Sequence, residues 1–169
     1  MIIIIEGPDL SGKTYAIEKI AKHFNMGFVL KNSFKPKSLE DTNAIFAQYW
    51  NILNIVSNQR FVILDRFFPS QAVYSYLRGE DHFGHSEIRA LDNFCAKAGI
   101  LYIYLDTAWS DLKKRYDTRG DEHVTKDMLS VLKERYDEFY EMSKMDKIRI
   151  NTLKSNWLKT LEAWINEHK

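Results

Sequence analysis

Eight residues near the start of the chain, Gly7-Pro8-Asp9-Leu10-Ser11-Gly12-Lys13-Thr14, restrict what it can fold into more than any other stretch. They match GxxxxGKT, and their surroundings are those the match demands. The apolar run Ile2-Ile3-Ile4-Ile5-Glu6 precedes them, and the helical pattern Tyr15-Ala16-Ile17-Glu18-Lys19-Ile20-Ala21 follows. The order is strand, glycine-bounded loop and helix. Such a loop turns successive backbone N–H groups toward one phosphate oxyanion, and the helix behind it adds its unsatisfied N–H groups and positive dipole end. Gly7 and Gly12 permit a close approach that side chains would obstruct. Lys13 brings a mobile charge to the outer phosphates of a nucleotide, and Thr14 offers a hydroxyl to the magnesium ion that accompanies them. Gly7, Ser11, Gly12, Lys13 and Thr14 are therefore the candidate phosphate-binding group.

The 169 residues suit one domain with a substantial core. With 24 basic against 23 acidic side chains, the formal charge of +1 gives no general attraction to nucleic acid or to a membrane surface. The single cysteine, Cys95, excludes an internal disulfide framework and a cysteine-rich zinc site, and reads as buried packing on a helix. Met1 leads directly into the first strand without a basic leader, and no apolar segment is long enough to span a bilayer. A cytoplasmic protein is expected.

Along the chain, strand and helix patterns alternate. The first helix is expected to end near 24–26, and Gly27-Phe28-Val29-Leu30 reads as a second strand. A polar loop follows with Lys31, Lys35 and Lys37, and Pro36 within it argues against continuing structure. These lysines are either solvated or available to a substrate phosphate. Residues 38–58 repeat apolar positions at helical spacing (Ile45, Tyr49, Ile52, Leu53, Val56), with Tyr49 and Trp50 read as core. The run Phe61-Val62-Ile63-Leu64 has the continuous apolarity of a strand covered on both faces, and stops at Asp65-Arg66. A carboxylate and a guanidinium just past a buried strand lie where open α/β sheets collect their ligands. A helix from Pro69 to about Leu77 leads to a turn-rich segment whose His82 and His85 read as surface histidines. Ser86 is a candidate N-cap for a helix to Lys97, with Gly99 its stop. The strand 100–105 ends at Asp106. Ser110 to Tyr116 is helical, Asp117 to His123 a polar loop, and Thr125 opens a long helix to about Ser143 that carries Met128, Leu132, Tyr136 and Phe139 at spacing three to four. Lys147 to Ile150 forms a last strand and Ser155 to Glu167 a last helix with Leu158, Leu161, Trp164 and Ile165 inward. Five strands alternating with helices predict a five-stranded parallel sheet with helices on both faces, joined by right-handed crossovers, in the three-layer architecture of P-loop kinases.

With Asp65 reached, three motifs stand in a familiar order. The segment Asp65-Arg66-Phe67-Phe68-Pro69-Ser70-Gln71-Ala72-Val73-Tyr74 resembles the DR(Y/F)xxSxxAY run of thymidylate kinases and, more loosely, the DRS run of deoxynucleoside kinases. Leu105-Asp106, Arg115 and Arg119-Gly120 resemble that family's LD…R…RG run leading into a mobile lid, expected here at about 115–125. Glu6-Gly7-Pro8-Asp9 is similar to its EGxD phosphate loop. The resemblance implies phosphoryl transfer from ATP with Mg2+, and a homodimer formed through helix packing. It implies that Lys13 holds the donor's outer phosphates, while Thr14 and Asp65 serve the metal. Arg66 would reach toward phosphate at the reaction centre. Asp9 would accept a hydrogen bond from the acceptor sugar, Tyr74 would lie under that sugar, and Arg115 and Arg119 would close over the transferring group. A phosphoryl group in transit spreads charge over its equatorial oxygens, so cations and alignment matter more than an acid or base. Some thymidylate kinases place a catalytic arginine after the loop's acid; Leu10 stands there in this chain, which shifts that duty to the lid arginines.

Two departures bear on the acceptor. Ser75 replaces the glutamine that helps thymidylate kinases read the base, and Phe46-Ala47-Gln48-Tyr49-Trp50 lacks their phosphate-binding arginine. A (deoxy)nucleoside monophosphate of thymidylate type is the favoured acceptor. The alternatives are a free deoxynucleoside, a modified base in DNA as for certain viral kinases, and a nucleotide-binding module without turnover. The first normally requires a carboxylate after strand two, and the loop 30–37 has no acid. The second normally requires clustered basic residues.

Overall fold

The computed structural model describes residues 1–25, 27–31, 39–59 and 61–168. The segment 32–38, including Lys35, Pro36 and Lys37 of the expected lysine loop, lies outside the described residues. The elements are β1 (Ile2–Glu6), α1 (Lys13–His23), β2 (Phe28–Lys31), α2 (Leu39–Val56), β3 (Val62–Asp65), α3 (Phe68–Ser75), α4 (Ser86–Lys97), β4 (Leu101–Leu105), α5 (Trp109–Arg119), α6 (Lys126–Met142), β5 (Lys147–Ile150) and α7 (Trp157–Glu167), with a 3₁₀ turn at Tyr76–Arg78 after α3. The strands form one parallel sheet in the order β2-β3-β1-β4-β5. This is an α/β fold of the three-layer P-loop kinase type. β1 is central: the chain winds to one side through β2 and β3, then crosses to the other for β4 and β5. The crevice this reversal opens at the carboxyl end of β1 is where such sheets receive ligands.

Side chains alternate across a strand, and the alternation assigns each strand residue its layer. Ile3 and Ile5 of β1, Ile63 of β3 and Leu101, Ile103 and Leu105 of β4 pack under α1 and α7, against Ala16, Ile17, Ile20, Trp157, Leu161 and Ile165. Ile4 of β1, Val62 and Leu64 of β3 and Tyr102 and Tyr104 of β4 face the other layer, built from α2, α3, α4 and α6. The same alternation sends Glu6 to the α6 side with Ile4, and Asp65 to the α1 side with Ile63. Two carboxylates at the same edge of the sheet thus meet different partners.

Four local expectations are corrected. α5 continues to Arg119, so residues 117–119 are helical, not loop. The Thr118 hydroxyl folds back on the Lys114 carbonyl (2.8 Å), and the turn ends only at Gly120, whose φ of 64° suits glycine. Ser86 is inside α4, not its cap: His85 holds that position, and the Ser86 hydroxyl donates to Glu87 instead. His82 is buried at 4% exposure, not a surface residue; it packs against Phe46 and lies 3.1 Å from Glu80. α3 stops at Ser75 and tightens into the 3₁₀ turn. Thr125 does cap α6, accepting from the Met128 N–H, and Cys95 is wholly buried.

Candidate active site

The loop after β1 is shaped by what its glycines exclude. A Cβ on Gly7 would stand 2.8 Å from Ser11 Oγ and 3.1 Å from Leu105 Cβ, so the chain can turn here only without one. Two consecutive carbonyls are then drawn away from the loop's centre. Leu10 takes a left-handed conformation (φ 65°) and its oxygen accepts from Arg115 Nη1 at 2.6 Å; the Ser11 oxygen accepts from the buried Thr107 hydroxyl at 3.1 Å. With carbonyls turned outward, the N–H groups of the first turn of α1, which have no intrahelical acceptor, border the hollow. Ser11 Oγ is buried there without a hydrogen-bond partner among the described residues, an orphan that an anion's oxygen would satisfy.

Lys13, the first residue of α1, pairs with Asp65 at 3.0 Å, both side chains largely covered. The partnership follows from the register, since Asp65 faces the α1 layer and Ile5 is its neighbour on β1. Thr14 is exposed at the mouth of the loop.

Arg66, the next residue, is held more tightly. Its backbone has φ 64°, a conformation that costs a non-glycine residue about 1–3 kcal/mol. Its N–H bonds the Ile5 carbonyl. The guanidinium donates through Nη2 to Asp9 Oδ1 (2.7 Å) and through Nη1 to Tyr136 Oη (2.7 Å) and Ser70 Oγ (3.1 Å), and it lies 5.2 Å from the centre of the Tyr74 ring. Tyr74 in turn donates its hydroxyl to Asp9 Oδ2 at 2.5 Å. Behind this assembly sits Glu6, fully buried. It accepts from the Phe67 N–H (2.7 Å), the Ser70 N–H (3.2 Å) and the Ser70 hydroxyl (2.6 Å), with Tyr136 Oη at 3.3 Å. Burial pushes the Glu6 carboxyl above the usual carboxylate range, opposed by Arg66, by its Ser70 and Phe67 donors and by Lys13.

Beside the loop lies a cleft of about 730 Å³ lined by Leu10, Gly12, Tyr15, Arg115, Arg119 and Thr152, among others. Arg115 crosses between the cleft and the loop's Leu10 carbonyl, and Arg119, one turn later on α5, is exposed on the cleft wall. The crevice thus joins a phosphate-sized cradle to a nucleotide-sized opening, with cations on both sides.

The structure brings Asp9, Arg66 and Tyr74 into one bonded group, sets Lys13 against Asp65, and places Arg115 and Arg119 on the cleft next to Gly12. Sequence reasoning missed three members. Ser70 and Tyr136 read as a motif position and a core tyrosine, and Glu6 as part of a motif without a function of its own. A carboxylate closing a run of four isoleucines was the available signal for Glu6. Ser75, singled out at a base-reading position, is buried and donates to the Ala72 carbonyl while accepting from the His82 N–H. It braces the connection after α3 and presents nothing to a ligand.

No family model matches the chain. The uncharacterized YorR protein derived from the SPbeta prophage of Bacillus subtilis strain 168 is 30% identical over 134 residues, spanning 78% of this chain and 77% of YorR. The crystal structure of YorR in complex with phosphorylated GDP superposes with a TM-score of 0.76, covering 99% of this chain and 96% of that one at 23% identity in the structural alignment. Deoxyadenosine kinase from M. mycoides, solved with its products dCMP and a flexible dCDP, gives a TM-score of 0.67 at 17% identity, covering 99% of this chain and 100% of that one. Thymidylate kinase from Candida albicans gives 0.64 at 16% identity, covering 99% and 93%. At these identities the likeness to the two kinases is one of fold.

Proposed function

The chain belongs to the family of the Bacillus subtilis YorR protein, and from that membership and the geometry of the crevice we propose that it transfers the γ-phosphoryl group of ATP to a (deoxy)nucleoside monophosphate. The observation that carries the choice of acceptor is the state of Asp9 and Asp65, since Glu6, the third carboxylate of the site, is fully buried. Asp9 is bonded to Arg66 at 2.7 Å and to Tyr74 at 2.5 Å, and Asp65 to Lys13 at 3.0 Å. Neither is a free general base. A sugar hydroxyl needs one to become a nucleophile, whereas a phosphate monoester is already largely dianionic at neutral pH, with its second pKa at about 6. A monophosphate oxygen attacks γ-phosphorus as the bond to the β,γ-bridging oxygen breaks. The products are ADP and a nucleoside diphosphate, with no proton to relay.

In this reading the loop's N–H groups and Lys13 hold the donor's outer phosphates. Arg66 turns its remaining N–H groups to the phosphoryl group in transit, and Arg115 and Arg119 close on it from α5. Asp9 and Tyr74 orient the acceptor sugar. The Thr14 hydroxyl and the Asp65 carboxylate are hard oxygen donors that fit Mg2+, which usually takes few protein ligands and completes its shell with phosphate oxygens and water. Bound there, the ion neutralises charge on the outer phosphates. Among the described residues no helix is long and apolar enough to cross a membrane.

The reading is tested by measuring ADP release with ATP and Mg2+ against a panel of nucleosides, their 5′-monophosphates, and single-stranded and duplex DNA. Monophosphates are expected to turn over, with no preference for thymidylate imposed by Ser75. Selective phosphorylation of free nucleosides would overturn it in favour of a deoxynucleoside kinase. ATP retention without ADP under every acceptor would leave a binding module.

A further inference from the structure

Tyr136 carries α6 into the Arg66 assembly. Its ring is fully buried, stacked on Tyr104 (6.0 Å between centroids, 18° between planes) and edge-on to Tyr74 (6.4 Å, 80°), so the hydroxyl has one direction available. Hydrogen counting settles the bonding. Ser70 spends its proton on Glu6 at 2.6 Å, which leaves Ser70 Oγ an acceptor. The phenolic oxygen accepts from Arg66 Nη1 at 2.7 Å, and its one hydrogen is shared between Ser70 Oγ (2.8 Å) and Glu6 Oε2 (3.3 Å).

A guanidinium has five N–H groups. Tyr136 and Ser70 take both hydrogens of Nη1, and Asp9 takes one of Nη2. What is left for phosphate oxygens is Nε–H and one Nη2–H of the guanidinium fork. Without the phenol, the Nη1 end would keep Ser70 at 3.1 Å alone, and a side chain standing on a left-handed backbone could rotate its fork away.

We propose that Tyr136 is a positioning residue whose hydroxyl fixes the Arg66 guanidinium so that its unspent N–H groups face the transferring phosphoryl group. What those groups meet rests on the kinase reading; the fixing of Arg66 does not. α6, which carries the tyrosine, begins directly after the connection 120–125 that follows α5.

The test is Tyr136→Phe, which keeps the ring and removes only the oxygen, made in the wild type and in Arg66→Lys. In the wild type kcat is expected to fall about 10- to 100-fold while KM for ATP stays within about twofold. In Arg66→Lys the added loss should shrink to less than about threefold, because residues acting through one another are non-additive. Equal losses in both backgrounds, or an unchanged kcat, would overturn the proposal. Nitrogen-15 NMR of the arginine side chains supplies a readout that needs no turnover. Separate Nη signals from a slowly rotating Arg66, assigned by their loss in Arg66→Lys, should merge in Tyr136→Phe. In the wild type alone, a nuclear Overhauser contact between the Tyr136 hydroxyl and Arg66 Nη1 hydrogens should be present, and its absence would refute the assignment even if the variant failed to fold. Failure of the kinase reading would leave these spectra unchanged, so the two ideas fail separately.

Discussion

The arginines of this site are installed in two contrasting ways. Arg66 is bracketed by the phosphate loop, α3 and α6: its side chain is 15% exposed, and it touches Asp9, Ser70, Tyr74 and Tyr136. Arg115 and Arg119 both ride on one helix beside an open cleft, one bonded to a single carbonyl and the other exposed. The first arrangement fixes charge in place before any ligand arrives, which is what makes electrostatic stabilisation effective in a water-poor site. The second leaves charge to be gathered by the ligand, as closing elements do. A phosphoryl group between them would be met by a fixed cation on one side and recruited cations on the other.

The sharpest way to break the contrast is to spoil the fixed side. Arg66→Lys keeps the charge but cannot reach Asp9, Ser70 and Tyr136 at once. In a steady-state assay kcat is expected to drop about 1,000-fold, the scale of losing an arginine at a transferring phosphoryl group. A loss under tenfold would mean that position, as distinct from charge, is unimportant. On the recruited side, Arg119→Ala should lower kcat about 100-fold with little change in ATP affinity. Arg115→Ala should lower kcat to a similar extent and also weaken ATP binding about tenfold, since the Leu10 carbonyl loses its partner and the loop its shape. If the single and double variants kept kcat intact, neither arginine would act on the reaction.

How far the sequence could be read follows the same division. The centre of the sheet was legible because β1, β3 and β4 are built on continuous apolar runs, and β5, with Lys147 and Arg149 alternating with Ile148 and Ile150, keeps its predicted bounds of 147–150. Asp9, Lys13, Asp65, Arg66 and Tyr74 were legible because each sits at a fixed offset in a short motif. Glu6, Ser70 and Tyr136 were not, because their roles arise between residues 64 to 130 positions apart in the chain. Tyr136 occupies one of the regular inward positions of α6 with Leu129, Leu132 and Phe139, and nothing in that spacing separates a hydroxyl that holds an arginine from one that fills a core. The end of α5 was placed too early because polar residues 117–119 read as loop, while a back-bonded Thr118 and a glycine stop keep them helical. His82 read as surface because its segment is rich in turn residues.

Glu6 tests whether the fixed side depends on a buried charge. Glu6→Gln preserves shape but puts an amide N–H₂ where two hydroxyl donors converge, and a cost of about 2–3 kcal/mol in denaturant unfolding is expected if the carboxylate is ionised. A cost near zero would mean that the native group already carries a proton. The titration has a definite sign. Burial raises the folded pKa above its ordinary value of 4.5, so the folded state holds the proton more firmly than the unfolded chain. The stability this contributes is complete below about pH 4.5 and is lost as pH rises through the raised value, a slope that Glu6→Gln should abolish.

The smallest expected effect lies outside both arginine groups, in the connection that Arg135 ties to α6 through Asp81 at 2.7 Å. Burial lowers the pKa of His82 from 6.5, as do His85 and Arg78, while Glu80 and Asp81 oppose the shift. The depressed folded value means that the neutral ring is the one the fold accommodates. Its contribution to stability is present above pH 6.5 and is lost as pH falls through the folded pKa, by at most about 1.4 kcal/mol per pH unit for one proton. Unfolding curves between pH 7 and pH 5 should therefore shift less in His82→Gln than in the wild type. Because Ser75 anchors this connection by accepting from the His82 N–H, protonation should loosen the end of α3 while leaving the Arg66 assembly, whose Ser70 and Tyr74 lie earlier on the same helix, intact. Hydrogen exchange at His82 and Glu80 that accelerates on acidification, with Phe67 and Ser70 unaffected, would show that the fixed arginine is insulated from its surroundings. Joint acceleration would show instead that α3 passes the disturbance along.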